Sequence, residues 1–350
     1  MAVPRENLSP YTQQLGEKLG VKGKTQEKLV PNLQDKTKYV VHYLNLKQYL
    51  RLGLKLKKVH RAIEFHQSNW LEKYITLNTN KRKQARNSFE KDFFKLMNNS
   101  IFGKMMENVR GRINMELVHN QKRLKKIIAK PNFHRFHIFN EDLMAAHCLK
   151  TKVELNKPIY VGLAILDVRK TLMYEFHYGY IKAKYGDDAQ LCFTDTDSLL
   201  YDIKTDDVYS DMKEEQERFD TCDYPVDHML HSVVNKKVIG KMKDETAGVP
   251  IQEFVGLRSK MYSLRCGGVE KKTAKGVKKA TIKNTLRHAM YRQVLLDEEA
   301  THATMQSIRS KNHKIYSIKF NKLALSPYDD KRFVLDDKIT TRAHGHYANI

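Results

Sequence analysis

Two aspartates separated by one residue are the side chains in this sequence best suited to holding a metal ion. Asp195 and Asp197 lie in the polar stretch 194–198, with short apolar runs on both sides. Apolar runs around a polar pair predict a β-hairpin, here with its tip at 194–197. Alternate residues of an extended chain point to the same side, so the carboxylates would repel unless a cation lay beside them. A plain surface turn is the competing interpretation, because Asp, Thr and Ser all favour turns.

A second group of candidate residues lies on a predicted helix. Lys95, Asn99 and Phe102 are spaced i, i+4 and i+7 and so share one helix face, and Gly103 follows them. This set suits a nucleoside triphosphate, because a cation can meet phosphates, a ring can lie against a base and glycine lets the backbone approach closely. An ordinary amphipathic helix is the competing interpretation. The neighbouring, more apolar face is expected to pack inward and holds Phe89, Phe93, Leu96 and Ser100.

A third group lies in a predicted strand. Arg258, Lys260 and Tyr262 occupy alternate positions, so on a strand they would point the same way. Two cations and a phenol in a row can follow a nucleic-acid backbone. A solvated basic strand face explains this piece equally well by itself.

The composition points to a polyanionic partner. The 350 residues include 63 Lys and Arg against 40 Asp and Glu, a formal charge of +23 with a pI near 9.6. Nucleic acid and an anionic membrane surface are the two candidates. The membrane comes last, because no apolar run approaches the roughly 20 residues of a membrane span and no basic helix carries a clear apolar stripe. The four cysteines form no CxxC pair, which excludes zinc-ribbon and redox motifs and favours a reducing compartment.

The residue pattern predicts an α+β fold. Alternating leucines predict a strand over 52–65, and helical spacing predicts a pair of antiparallel helices over 69–109 with a break at 78–80. Pro158 is expected to begin a long apolar helix over 159–185. Strands are also predicted over 112–118, 134–139 and 143–155, one or two strands over 253–264, and helices over 121–130, 206–218 and 281–311.

In combination, the three groups resemble the ordered polymerase motifs of B-family DNA polymerases. The similarity is strongest to the protein-primed branch of viruses, organellar plasmids and large virus-like mobile elements, and it runs from about residue 30 to the C-terminus. The motifs are Lys95-x-x-x-Asn99-Ser100-x-Phe102-Gly103, then Asp195-Thr196-Asp197-Ser198, then Lys260-x-Tyr262.

This resemblance implies a palm of mixed strands with helical fingers and a helical thumb. The palm would be incomplete at its N-terminus. The implied divisions are an N-terminal palm-associated segment at 1–66, the fingers at 67–110, the palm with its metal-site hairpin at 111–268, and the thumb and C-terminal segment at 269–350.

The resemblance also implies a role for each residue in a DNA-directed DNA polymerase acting in DNA replication. Asp197 would bind the two catalytic Mg²⁺ ions directly and Asp195 would support that site. Lys95 would contact the incoming deoxynucleoside triphosphate, while the pocket for the new base pair would involve Asn99, Phe102 and Gly103. Lys260, Tyr262 and Arg258 would hold the primer end of a DNA template-primer. A terminal protein primer is an additional partner in this branch, and the location would be intracellular, in the nucleus or at a viral replication site.

The chain departs from the family pattern in one major respect. The first palm motif, an Asp followed shortly by Ser-Leu-Tyr, supplies the other metal-bridging carboxylate and is expected upstream of the fingers. Before Lys95 the only aspartates are Asp35 and Asp92, and neither has that context. The family's exonuclease domain has no counterpart either. Two smaller departures are Phe102, where many relatives have Tyr, and Phe193-Thr194 in place of Tyr-Gly.

Two functional hypotheses follow. The first is a B-family DNA polymerase present as a C-terminal fragment, so that the isolated chain is expected to have little or no nucleotidyl transfer activity. The alternative is a catalytically inactive DNA-binding remnant of a mobile-element polymerase, for which Asp195 and Asp197 would be dispensable. Both hypotheses explain the charge, and both predict DNA binding that weakens with salt.

Overall fold

The computed structural model describes residues 2–4, 25–27, 30–311 and 314–349. Most of the predicted N-terminal segment before residue 30 therefore lies outside the described residues. The fold mixes helices with small, mainly antiparallel sheets. It divides into two compact units: the first comprises 1–39, 181–307 and 317–350, and the second comprises 40–180 and 308–316.

The second unit contains the paired helices and one three-stranded sheet. Two strands of the first unit precede it in the chain, β1 (Ala2–Pro4) and β2 (Thr25–Glu27), which pair antiparallel. The elements of the second unit are α1 (Tyr43–Arg51), α2 (Glu72–Lys83), α3 (Ser88–Met105), β3 (Ile113–Val118), α4 (Gln121–Ile128), β4 (Phe133–Asn140), β5 (Leu143–Leu149) and α5 (Ile159–Tyr174).

The two helices α2 and α3 form the expected antiparallel pair, but their turn covers 84–87 and not 78–80. The predicted break was wrong because Asn78 is buried inside α2 and its side chain donates a hydrogen bond to the Tyr74 backbone oxygen at 3.1 Å. The helix therefore continues past it. Asn87 then begins α3, since its side-chain oxygen accepts a hydrogen bond from a backbone N–H of the first turn.

The strand predicted over 52–65 is absent. This stretch has no regular secondary structure and its residues are exposed. Alternating apolar residues make a strand only where a neighbouring strand takes up the backbone hydrogen bonds, and no described strand pairs with this stretch. The strands predicted next are present and form a sheet in the order β3-β5-β4, although β5 ends at Leu149 and not at 155.

The first unit contains the metal-site candidate. A π-helical stretch (Glu175–Ile181) leads into it from α5, so the helix predicted over 159–185 has an unexpected wide turn near its end. The remaining elements are α6 (Lys182–Tyr185), β6 (Ala189–Asp195), β7 (Ser198–Ile203), α7 (Val208–Glu214), β8 (Phe219–Asp220), β9 (Met242–Lys243), β10 (Ile251–Arg258), β11 (Met261–Cys266), β12 (Val269–Ala274), α8 (Lys279–Asn284), α9 (His288–Asp297), β13 (Thr301–Lys311), β14 (Lys314–Leu325), β15 (Phe333–Val334) and β16 (Thr341–Arg342).

The resemblance implied a helical thumb, and helices were predicted over 281–311. This prediction was wrong beyond residue 297, where the chain becomes a strand. The helix α9 ends at Asp297, where Glu298 takes a left-handed conformation with φ of 56°. The chain then forms the long strands β13 and β14. Ala303 and Met305 are buried while the residue on either side of each is less buried, which is the period of two that a strand requires.

The main core of the first unit fixes the sheet β10-β11-β12. Tyr291 and Val294 of α9 are buried against this sheet together with Met261 of β11. A buried hydrogen bond between Ser263 Oγ and His288 Nδ1, 2.9 Å long, adds a polar connection. The turn between β10 and β11 is therefore held on a packed support.

Candidate functional site

The hairpin predicted around the two aspartates is confirmed. Strands β6 and β7 pair antiparallel with Asp195 opposite Ser198, so Thr196 and Asp197 form the tip. The Asp197 N–H donates to the Asp195 carbonyl oxygen at 2.6 Å, and Thr196 between them has a φ of 55°. A hydrogen bond from i+2 to i around a residue with positive φ is the pattern of the rarer, strained form of γ-turn. The tip is thus tighter than an extended strand.

The two carboxylates differ in their surroundings. Asp195 is the last residue of β6 and its side chain is 32% exposed, whereas Asp197 lies in the turn and is exposed. The Thr196 hydroxyl donates to Asp195 Oδ1 at 3.0 Å. Asp195 is therefore held in place from its own turn, while Asp197 is the carboxylate that faces solvent.

The predicted row of Arg258, Lys260 and Tyr262 is divided by a turn. Arg258 ends β10, Tyr262 belongs to β11, and Lys260 lies in the two-residue turn between these strands with a φ of 60°. The prediction that all three share one strand face was wrong because it overlooked this turn. Lysine rarely takes a left-handed conformation, so the turn is a specific feature.

The two hairpins nevertheless meet. Lys260 Nζ lies 3.8 Å from Asp195 Oδ1, and the Tyr262 ring lies 4.6 Å from the Phe193 ring between centroids. Phe254 completes an aromatic cluster, at 6.0 Å from the Phe193 ring and 5.9 Å from the Tyr262 ring. Residues of two sequence motifs that are far apart in the chain are thus brought together at one site.

A glycine makes room for this aromatic cluster. Gly256 of β10 pairs with Tyr262 across the sheet. A Cβ at Gly256 would lie 3.1 Å from Cζ of the Phe254 ring and 2.9 Å from Cε1, and the second distance is shorter than real Cβ contacts. The sequence pointed to Phe193 only as a departure from the family motif, and it did not point to Phe254 or Gly256. The sequence signal that could have identified them is an aromatic residue in each of two hairpins, together with a glycine in the strand that pairs with Tyr262.

The predicted nucleotide face lies on α3 in the second unit. Lys95, Asn99 and Gly103 are exposed, whereas Phe102 is half-buried. Phe102 packs towards α5, where its ring atom Cε2 would be 3.6 Å from a Cβ at Gly162. The cation and the amide are therefore open to solvent, while the ring is partly used in packing.

The neighbouring apolar face of α3 does not pack inward as expected. Phe89, Phe93 and Leu96 have 76%, 44% and 62% of their surface exposed. The face turned towards α2 is a different one. On it, the Tyr74 hydroxyl donates to the Met97 backbone oxygen at 3.4 Å, and Asn98 Nδ2 donates to Thr79 Oγ1 at 3.5 Å. The prediction was wrong because two apolar faces compete on this helix and only one meets α2.

The donor set at the hairpin tip fits magnesium carried by a substrate. Mg²⁺ is commonly bound through one or two carboxylates together with substrate phosphates and water. Asp195 and Asp197 supply two carboxylates at one tip. Within the part of the chain that the structure describes, no group of three or more His, Cys, Asp or Glu residues could hold a metal ion by itself.

Comparisons with known proteins give no relative. No family model, no curated protein and no solved structure matches the chain. Among the described helices, none combines the length and the apolar character that crossing a membrane demands. The motifs and the geometry above are therefore the basis on which function is inferred.

Proposed function

We propose that the chain is the part of a DNA-directed DNA polymerase of the B family that carries the metal-site hairpin, the fingers and the primer-binding residues. One observation supports this proposal most strongly. Asp195 of the Asp-Thr-Asp-Ser hairpin and Lys260 of the Lys-x-Tyr motif approach to 3.8 Å, although they are far apart in sequence. A chance pair of surface turns has no reason to bring these two motifs together.

In this proposal the residues at the hairpin tip handle the reacting phosphates. Asp197, exposed in the turn, would hold Mg²⁺ together with the triphosphate, and Asp195 would support the site. Magnesium would supply charge stabilisation for the displacement at the α-phosphate and for the leaving pyrophosphate. Lys260 and Tyr262, beside the tip, would position the primer end.

The fingers residues would act on the incoming nucleotide. Lys95 would meet the phosphates as a point charge, and Asn99 and Phe102 would shape the pocket for the new base pair. Gly103 is exposed and has nothing within 4 Å of its Cβ position, so its backbone is accessible to a ligand. Positioning and charge neutralisation are the main contributions of a protein to phosphoryl transfer.

The test is magnesium-dependent binding of a deoxynucleoside triphosphate to the complex of the chain with a primer-template. Asp197→Asn removes one negative charge from an exposed turn and is expected to leave the fold intact. Because the remaining carboxylate holds the metal poorly, the affinity for the next correct nucleotide should fall about tenfold or more, which corresponds to about 1.4 kcal/mol or more.

The matched control is Asp202→Asn, an exposed carboxylate of the same hairpin that is distant from the tip. This variant should bind the nucleotide as the unsubstituted chain does. The proposal would be contradicted if Asp197→Asn and Asp202→Asn had equal nucleotide affinity. It would also be contradicted if nucleotide binding depended neither on magnesium nor on the template base.

A DNA-binding remnant without catalysis is the second candidate, and one observation favours it. Lys260 lies near enough to Asp195 Oδ1 to offset its charge, and the Thr196 hydroxyl donates a hydrogen bond to the same oxygen. For a remnant, Asp197→Asn would leave both DNA affinity and nucleotide affinity unchanged, so the same titration separates the two candidates.

A further inference from the structure

An open cleft with a strongly basic lining lies in the first unit, between the β11-β12 turn, β12 and α8. Its volume is about 730 Å³. It lies outside the three sequence motifs. Its charged residues are Lys272, Lys279, Lys283 and Arg287 with the single carboxylate Glu270, and its apolar residue is Ile282.

One of the four cations is neutralised inside the cleft wall. Lys272 has only 10% of its side chain exposed and donates to Glu270 Oε2 at 3.0 Å and to the Leu286 carbonyl oxygen at 2.7 Å. Burial raises the pKa of Glu270, but the hydrogen bonds from Lys272 and from the His288 backbone outweigh it, and the pKa lies below its ordinary value. Glu270 is thus ionised at neutral pH and its charge cancels that of Lys272.

The other three cations have no such partner. Lys279, Lys283 and Arg287 are exposed, and among residues 30–311 and 314–349 no carboxylate lies within 4.0 Å of their charged atoms. Arg287 is held in place, because its Nη1 donates to the backbone oxygens of Leu286 and Lys283 at 2.9 and 3.3 Å. Three like charges around one concavity repel each other and concentrate a positive potential there, so the arrangement favours a bound anion.

The lining also limits how a ligand is recognised. Among the described residues no aromatic side chain lines the cleft, so these residues offer no ring on which a base could stack. Ile282, its apolar member, packs against the core of the first unit. Lysines act as point charges, so contacts here are made to phosphates and carry no sequence information.

We propose that this cleft binds successive phosphates of a DNA backbone, without base preference and separately from the metal-site hairpin. Only the choice of DNA as the polyanion rests on the proposed function. Lys279 and Lys283, four positions apart on α8, would contribute the two adaptable phosphate contacts, and Arg287 a fixed one.

The test is the salt dependence of binding to a labelled duplex of about 20 base pairs, followed by fluorescence anisotropy. Each phosphate contact adds about 0.9 to the magnitude of the slope of log K against log salt concentration. The double variant Lys279→Gln/Lys283→Gln should therefore lower that magnitude by about 1.8, to the same extent for duplexes of different sequence. Arg287 is not substituted, because its guanidinium also donates hydrogen bonds to backbone oxygens at the end of α8 and just after it.

The matched control is Lys275→Gln/Lys278→Gln. It removes two exposed cations from the same segment that do not line the cleft, and it should change the slope by less than half as much. Equal changes in the two double variants, or an unchanged slope in the first, would overturn the proposal. A third outcome would also overturn it. If the double variant Lys279→Gln/Lys283→Gln bound DNA as before but pyrophosphate no longer competed with the DNA, the cleft would be a site for a small free anion. The nucleotide titration of Asp197→Asn is a separate measurement from this slope, so failure of the polymerase proposal is distinguishable from failure of this one.

Discussion

The Phe193 ring lies 4.6 Å from the Tyr262 ring, with 48° between their planes. Asp195 follows Phe193 by two residues, and Lys260 precedes Tyr262 by two. The ring contact therefore fixes how closely the carboxylate of one hairpin approaches the ammonium group of the other. Positioning of the charged pair depends on aromatic packing behind it, because an exposed ion pair alone contributes little.

A double-mutant cycle measures this ring contact. Phe193→Leu and Tyr262→Leu each remove one ring, and the cycle should give a coupling of about 0.5–1.5 kcal/mol in the free energy of unfolding. Urea denaturation provides the measurement. Tyr262→Phe keeps both rings and should keep the coupling, whereas strictly additive effects of the two leucine substitutions would mean that the rings do not support each other.

The turn residue Thr196 predicts a stabilising substitution. A β-branched residue with a φ of 55° is strained, and Gly adopts that conformation without cost. Thr196→Gly should raise the free energy of unfolding by about 0.5–1 kcal/mol, even though it removes the hydroxyl donor to Asp195. Thr194→Gly, the same change inside strand β6, should lower it by about 0.5–1 kcal/mol. A loss of stability at both positions would show that Thr196 is not strained.

Local signals in the sequence were sufficient for the metal-site hairpin. The apolar runs around Asp195 and Asp197 specify both strands and the tip, because the register of a hairpin follows from its short loop. Most elements of the sheet β3-β5-β4 were predictable for the same reason. The contact between Asp195 and Lys260 was not, since it depends on how two separate hairpins pack through Phe193 and Tyr262.

The errors have a common cause, which is that a pattern shows which residues share a face but not what that face meets. Alternating leucines over 52–65 had no strand to pair with, and the rings of Phe89 and Phe93 had no helix to pack on. In 281–311 the pattern changes from a helical period to a period of two at the left-handed residue Glu298. The basic cleft could not be predicted either, because the sequence does not show that Lys272 pairs with Glu270 while Lys279 has no such carboxylate partner.

Glu107 predicts a pH-dependent contribution to stability in the second unit. Both oxygens of its carboxylate accept 2.7 Å hydrogen bonds from Arg112, and Lys104 Nζ lies 2.9 Å away. The Arg112 guanidinium and then Lys104 lower the pKa of Glu107 from 4.5 to about 2. Because the folded-state pKa lies below the unfolded one, this contribution is fully present above pH 4.5 and is lost as the pH falls towards 2.

The measurement is the difference in denaturation midpoint between the unsubstituted chain and Glu107→Gln. The chain should be more stable than the variant at pH 7, and the difference should shrink between pH 4.5 and 2. Glu141→Gln, at an exposed carboxylate, provides the control and should show no comparable trend. A gap that stays constant with pH would mean that the charge of Glu107 is not what stabilises the fold.

A substitution at Gly103 of α3 can distinguish a structural role of this residue from a functional one. Gly near the end of a helix costs stability relative to Ala, and a Cβ here would meet no atom within 4 Å. Gly103→Ala should therefore raise the free energy of unfolding by about 0.5–1 kcal/mol. If the proposed nucleotide needs close approach to this backbone, the same substitution should weaken binding of the deoxynucleoside triphosphate in the presence of primer-template and magnesium.

The matched control for Gly103 is Ser100→Ala on the same helix. Ser100 is exposed and its hydroxyl donates to the Met97 backbone oxygen at 2.8 Å, an interaction that competes with helix hydrogen bonding. This variant should also be somewhat more stable, yet it should bind the nucleotide unchanged, because Ser100 lies off the candidate face. If Gly103→Ala gained stability and lost no nucleotide affinity, Gly103 would not belong to the candidate site.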